Sequence, residues 1–172
     1  MVAIKNVILF ISAVSAAAIS RRTPATILSD ITTIDTNVNA LTNAVKNYNG
    51  GFFGLISVSS TESTLENSIK NAATDASNTS PLSSADSENI FVEIDNLKPD
   101  INEALNALVE KKSTFASAGV DSTVASDLAN LKKETDAFGK ALLAIFSSDV
   151  KQRLTADLDT IDTFFTNAQA QF

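Results

Sequence analysis

The chain has 172 residues, of which 20 are acidic and 13 basic, for a net charge of −7, and it contains no His and no Cys. That composition excludes a Ser-His-Asp triad, a thiol nucleophile, a disulfide framework and a Cys/His zinc site. The acidic balance also argues against nucleic acid as a partner, because phosphate backbones are met by clustered Lys and Arg.

At the N-terminus, Lys5 precedes the apolar run Val7-Ile8-Leu9-Phe10-Ile11 and the small residues Ala16-Ala17-Ala18. This is the pattern of a secretory signal peptide over residues 1–18, and the run is too short to span a bilayer. Arg21-Arg22 follows, and segment 19–22 reads either as a dibasic processing site or as a charged flank. Cleavage after Arg22 would leave 10 basic and 20 acidic residues, a charge of −10. Residues 23–172 then form one domain, long enough to be held by a packed core. Residues 168–172 are neither a hydrophobic tail nor preceded by a Ser/Thr stalk, so secretion without a lipid anchor is expected.

Glycine and proline are scarce, and apolar residues recur at alternating spacings of three and four, the period of an amphipathic helix. The first helix is expected over 24–48, with Ile27, Ile31, Ile34, Val38, Leu41, Val45 and Tyr48 on one stripe. Thr23 caps it, Pro24 takes the first helical position, and Asn49-Gly50-Gly51 ends it. A second is expected from about Ser59, which has capping-box spacing to Glu62, to about Asn78, turning Leu65, Ile69, Ala72 and Ala76 inward. The third begins at Ser83 or Ser84. Its stripe of Ile90, Ile94, Leu97, Ile101, Leu105 and Leu108 keeps phase through Pro99 toward Phe115. One long helix kinked at Pro99 and two separate helices are both open. After Gly119, a fourth capped by Asp121 or Ser122 carries Val124, Leu128, Leu131, Phe138, Leu142 and Ile145. A fifth follows Ser147-Ser148-Asp149 with Val150, Leu154, Leu158, Ile161, Phe165, Ala168 and Phe172. The expected fold is all-α, an antiparallel five-helix bundle, and the short, loop-broken stripes favour an intramolecular bundle over a coiled coil.

Few residues carry chemistry. Asp157, Asp159 and Asp162 are the densest carboxylates, read as a solvated face, and they lack the glycine and terminal glutamate of a helix-loop-helix calcium site, so no metal is implied. Gly50-Gly51-Phe52-Phe53-Gly54 lacks the Lys-Ser or Lys-Thr of a phosphate cradle. It is either a helix stop whose rings plug the bundle end or a hinged lid of Phe52, Phe53, Leu55 and Ile56 over an apolar opening. The neighbours Phe164 and Phe165 point about 100° apart on a helix, as do Leu142 and Leu143, which makes the apolar faces wider than one core seam requires. Lys111-Lys112 and Lys132-Lys133 are candidate anchors for a carboxylate head group or simply solvated surface. Asn78-Thr79-Ser80 is a glycosylation sequon disfavoured by Pro81.

Several segments together resemble the fungal hydrophobic surface-binding protein A family, which includes the cell-wall galactomannoprotein antigens. They are Ile27-Leu28-Ser29-Asp30-Ile31, Leu97-Lys98-Pro99-Asp100-Ile101-Asn102-Glu103-Ala104-Leu105, Leu108-Val109-Glu110-Lys111-Lys112-Ser113-Thr114-Phe115 and Ile161-Asp162-Thr163-Phe164-Phe165. The resemblance implies adsorption to hydrophobic surfaces with recruitment of secreted hydrolases. In galactomannoprotein-like members it implies sequestration of long-chain fatty acids in a helical bundle. Together with the broad apolar faces, it sets the expectation of a non-catalytic lipid-binding protein with an apolar central cavity, no cofactor, and a monomeric or weakly dimeric state. The expected lining is Leu41, Phe91, Ile94, Phe115, Phe138, Leu142, Phe146, Ile161 and Phe165. Wall association without a lipid anchor remains open, since this chain lacks the stalk of wall-anchored members.

Overall fold

The computed structural model describes residues 22–172. The signal-peptide reading of 1–18 and Arg21 of the dibasic pair lie outside the described residues. Arg22 belongs to the fold: its guanidinium pairs with Asp75 at 2.7 Å, and its backbone bridges to Thr79.

Among the described residues six helices follow in order: α1 Pro24–Asn47, α2 Phe52–Ser77, α3 Ser84–Glu110, α4 Lys112–Ser117, α5 Asp121–Ile145 and α6 Ser148–Gln169. Five are long and α4 is a short turn beyond α3. Thr23 caps α1 in a reciprocal box with Thr26, accepting from its N–H at 3.3 Å, and Ser83 caps α3 by accepting from the N–H of Asp86 at 3.1 Å. Each satisfies a backbone donor that the first helical turn leaves free.

Two expected boundaries are corrected. The second helix begins at Phe52, seven residues ahead of Ser59, because Gly50 and Gly51 at φ 96° and 87° reverse the chain at once, a conformation costly for residues with a Cβ. Gly54 then lies against α1 so closely that a Cβ there would stand 2.7 Å from the Tyr48 ring. The third helix runs unbroken through Pro99 and stops at Lys111, which leaves Phe115 on α4. Pro99 is exposed, so water can satisfy the carbonyl that its missing N–H leaves free.

The long helices reverse direction at each connection and close a ring, in which α1 packs on α2 and α3, α2 on α5, α5 on α6, and α6 on α3. The predicted stripes face its interior. Ile27, Ile90, Leu128, Leu142 and Leu154 are almost wholly buried there. A ring of five cannot fill its axis as a four-helix bundle does, and side chains from all five helices must reach across it.

Candidate functional site

The axis of the ring holds an apolar cavity of about 70 Å³. Its wall takes Ile34, Val38 and Leu41 from α1, Leu65 and Ile69 from α2, and Ile94, Leu97, Ile101, Ala104, Leu105 and Leu108 from α3. Leu131, Thr135, Phe138, Gly139 and Leu142 come from α5, and Leu158, Ile161 and Phe165 from α6. The Thr135 hydroxyl donates to the Leu131 carbonyl at 2.8 Å within its own helix, so the wall offers no free polar side chain. Such a space is dry and favours hydrocarbon.

A second cavity of about 170 Å³ adjoins it toward the α4 end, lined by Leu55, Val58, Ser59, Glu62, Phe115, Val120, Thr123, Val124, Asp127 and Leu128. Leu41, Leu108 and Leu131 line both spaces and form the partition between them. This cavity is not purely apolar. Glu62 is 9 % exposed, and burial, followed by the nearby charges of Asp127 and Glu66, raises its pKa to about 7. Burial and then Glu66 also raise the pKa of Asp127.

Six of the nine expected lining residues, Leu41, Ile94, Phe138, Leu142, Ile161 and Phe165, meet at the central cavity, and Phe115 lies at the second. Phe91 and Phe146 reach neither. Phe91 is turned toward α6, where the Arg153 guanidinium covers its ring at 4.1 Å. Phe146 caps α5 in an extended conformation and is buried at that end of the bundle. Phe164 faces outward into a groove with Asn102, Leu105, Asn106 and Val109, while its neighbour Phe165 faces the axis.

The lid candidates Phe52, Phe53, Leu55 and Ile56 all stand in the opening turns of α2 and not in a loop. Phe52 and Phe53 are 72 % and 85 % exposed with their rings edge to face, Ile56 is exposed, and only Leu55 lines a cavity.

The lysine pairs line neither cavity. Lys111 donates to the Asn49 side chain, Lys112 to the Gln171 carbonyl, Lys132 to Asp136 and Asp162, and Lys133 pairs with Glu134 at 3.5 Å. The Asp157 trio is not one solvated face either: Asp157 is 8 % exposed and pairs with Lys98, Asp162 pairs with Lys132, and Asp159 is exposed. Among the described residues no group of acidic side chains is arranged to hold a metal ion, and no helix is long and apolar enough to cross a membrane.

Glu62 is the site residue that sequence reasoning missed. Its signal was its register, four residues after Val58 and three before Leu65, on the stripe that α2 turns inward.

Several solved structures with this fold are complexes with fatty acids. The chain is 40 % identical to Afmp4p in complex with palmitic acid, with a TM-score of 0.85 over 87 % of this chain and 99 % of that one. Ligand binding domain 2 of Penicillium marneffei MP1, complexed with multiple arachidonic acids, shares the fold at 17 % identity, with a TM-score of 0.81 over 88 % of this chain and 97 % of that one. Domain 1 of the same protein, complexed with arachidonic acids, does so at 13 % identity, with a TM-score of 0.80 over 87 % of this chain and 98 % of that one. No curated protein sequence matches the chain. The family model for hydrophobic surface binding protein A matches residues 24–144, which run from the start of α1 to the last turn of α5, and the chain belongs to that family.

Proposed function

We propose that this protein is a secreted, non-catalytic carrier that sequesters long-chain fatty acids in the core of its helical bundle. The observation that carries this reading is the central cavity, to which all five long helices contribute and in which no polar side chain is left free. Leu41, Ile94, Phe138, Leu142, Ile161 and Phe165 are the proposed contacts of the acyl chain. The 40 % identity to a palmitic acid complex supports the ligand class.

Burying about fifteen methylenes at about 0.8 kcal/mol each contributes on the order of 12 kcal/mol, against which association and ordering costs are set. The cavities of about 70 and 170 Å³ fall short of the roughly 300 Å³ at which ligand pockets begin. Uptake therefore parts the partition of Leu41, Leu108 and Leu131 and widens the ring.

Titration with a fluorescent fatty acid tests the reading: saturable binding displaced by palmitate supports it. Ala104→Phe, which projects a ring into the cavity, should weaken binding at least tenfold while the circular dichroism stays helical. Unchanged affinity in that variant places the ligand elsewhere.

A second reading, adsorption to hydrophobic surfaces, is favoured by the exposed Phe52, Phe53 and Ile56 edge at the start of α2. Retention on hydrophobic beads should fall in the double variant Phe52→Ser, Phe53→Ser, with fatty-acid affinity unchanged.

A further inference from the structure

The central cavity can hold hydrocarbon but offers nothing to a polar head group. The second cavity, on the far side of the partition, is lined by two carboxyls, Glu62 and Asp127, and by no lysine or arginine. The Glu62 carboxyl accepts a long hydrogen bond, 3.4 Å from the Ser63 hydroxyl, and among the described residues no lysine or arginine forms an ion pair with Glu62 or Asp127; Lys70 is paired with Glu66 instead. The other carboxyl buried as deeply as Glu62, Asp157, is met by Lys98.

We propose that the second cavity holds the head of the bound lipid, and that it grips a fatty carboxyl through one proton shared with Glu62 instead of an ion pair with lysine. The inference rests on the fatty-acid reading above and adds the place and chemistry of the head group. Two carboxyls can share a site when one proton lies between them, as in paired-carboxylate enzymes. With its pKa near 7, Glu62 is the group that keeps that proton at neutral pH.

The charged surroundings favour this state. Across the α2–α5 contact Glu62 faces Asp127, and on its own helix it faces Glu66, both of which hold the proton on; Lys70 opposes them more weakly and is itself paired with Glu66. On α1, the other helix against α2, the charged side chains are turned elsewhere. Asp30 lies near Arg22 and Asp75, Asp35 near Asp100 and Glu93, and Lys46 pairs with Glu103. On α5, Glu134 acts on Lys70, and Lys132 is held by Asp136 and Asp162.

The test uses cis-parinaric acid, whose fluorescence reports binding directly, and the corresponding alcohol. A free carboxyl is ionised well below pH 6, so between pH 6 and pH 8 only the site changes protonation. The acid should bind about tenfold more weakly at pH 8 than at pH 6, because one proton must then be taken up on binding to a group of pKa near 7. The alcohol should change less than twofold. Glu62→Gln should flatten the acid's profile, and Asp127→Asn, which removes a like charge, should move its midpoint to lower pH. A wild-type profile for the acid that is flat or rises with pH overturns the proposal, as does a Glu62→Gln profile identical to wild type. If the wild type binds neither acid nor alcohol, the fatty-acid reading itself fails.

Discussion

Helices α3 and α6 are joined by ion pairs over the first half of α3, while α2 and α5 meet through apolar side chains and like charges. On the first seam, Arg153 holds Glu88 at 2.7 and 3.0 Å, Lys98 holds Asp157, and the Ser84 hydroxyl reaches Asp149. Lys132–Asp162 ties α5 to α6, Lys46–Glu103 ties α1 to α3, and Arg22–Asp75 ties the start of α1 to α2. On the α2–α5 seam, Glu62, Glu66 and Asp127 repel one another, and the attraction of Lys70 to Glu134 acts without direct contact. The ring therefore has four laced seams and one that is not. A bundle whose hollows are too small for a long acyl chain must open somewhere, and the seam with the least to lose electrostatically is the one that carries the second cavity.

Substitutions on the two seams should differ in sign. Lys98→Ala leaves Asp157 buried without its partner, and should destabilise the protein by about 3 kcal/mol in urea unfolding, since stranding a buried charge costs more than the pair contributes. Glu62→Gln should act in the opposite direction, and only at high pH. Because the folded state raises the pKa of Glu62 from 4.5 to about 7, its contribution to stability is fully present below pH 4.5 and is lost as pH rises through 7. The variant should thus match wild type near pH 5 and exceed it at pH 8 by about 1–2 kcal/mol, a figure reduced for partial solvent screening. Thermal unfolding at the two pH values reads this directly, and a variant less stable than wild type at pH 8 would break the contrast between the seams.

Smaller effects sharpen the same picture. Arg153→Ala removes an exposed forked contact to Glu88 and the cover over Phe91, and should lower the thermal midpoint by less than Lys98→Ala does, with the difference shrinking at high salt. The double change Phe52→Ser, Phe53→Ser should leave stability within about 0.5 kcal/mol, because both rings are already in water.

Much of this arrangement was legible in the sequence, because helical stripes report the core directly. The apolar sets of α1, α3, α5 and α6 fall where their spacing places them, and six of the nine expected lining residues converge on the axis. What escaped depends on neighbours that spacing does not reveal. Phe91 looks like a core ring, but its position beside Ile90 turns it toward the edge of α3, where a cation from α6 covers it. Phe146 follows the last turn of α5, so helical phase no longer describes it. The start of α2 was hidden because Ser59 and Glu62 have the spacing of a cap, while two glycines had already reversed the chain. That same misreading turned Glu62 into a capping residue and concealed a carboxyl facing a cavity.

The central claim is that the axis of the ring is a lipid site, and the most direct measurement is native mass spectrometry of the purified protein, paired with mass analysis of its organic extract. One long-chain fatty acid or more per chain, displaced by added palmitate and lost in Ala104→Phe, is the expected result. A protein that emerges empty and remains empty after incubation with palmitate would contradict the claim and show that the core is closed.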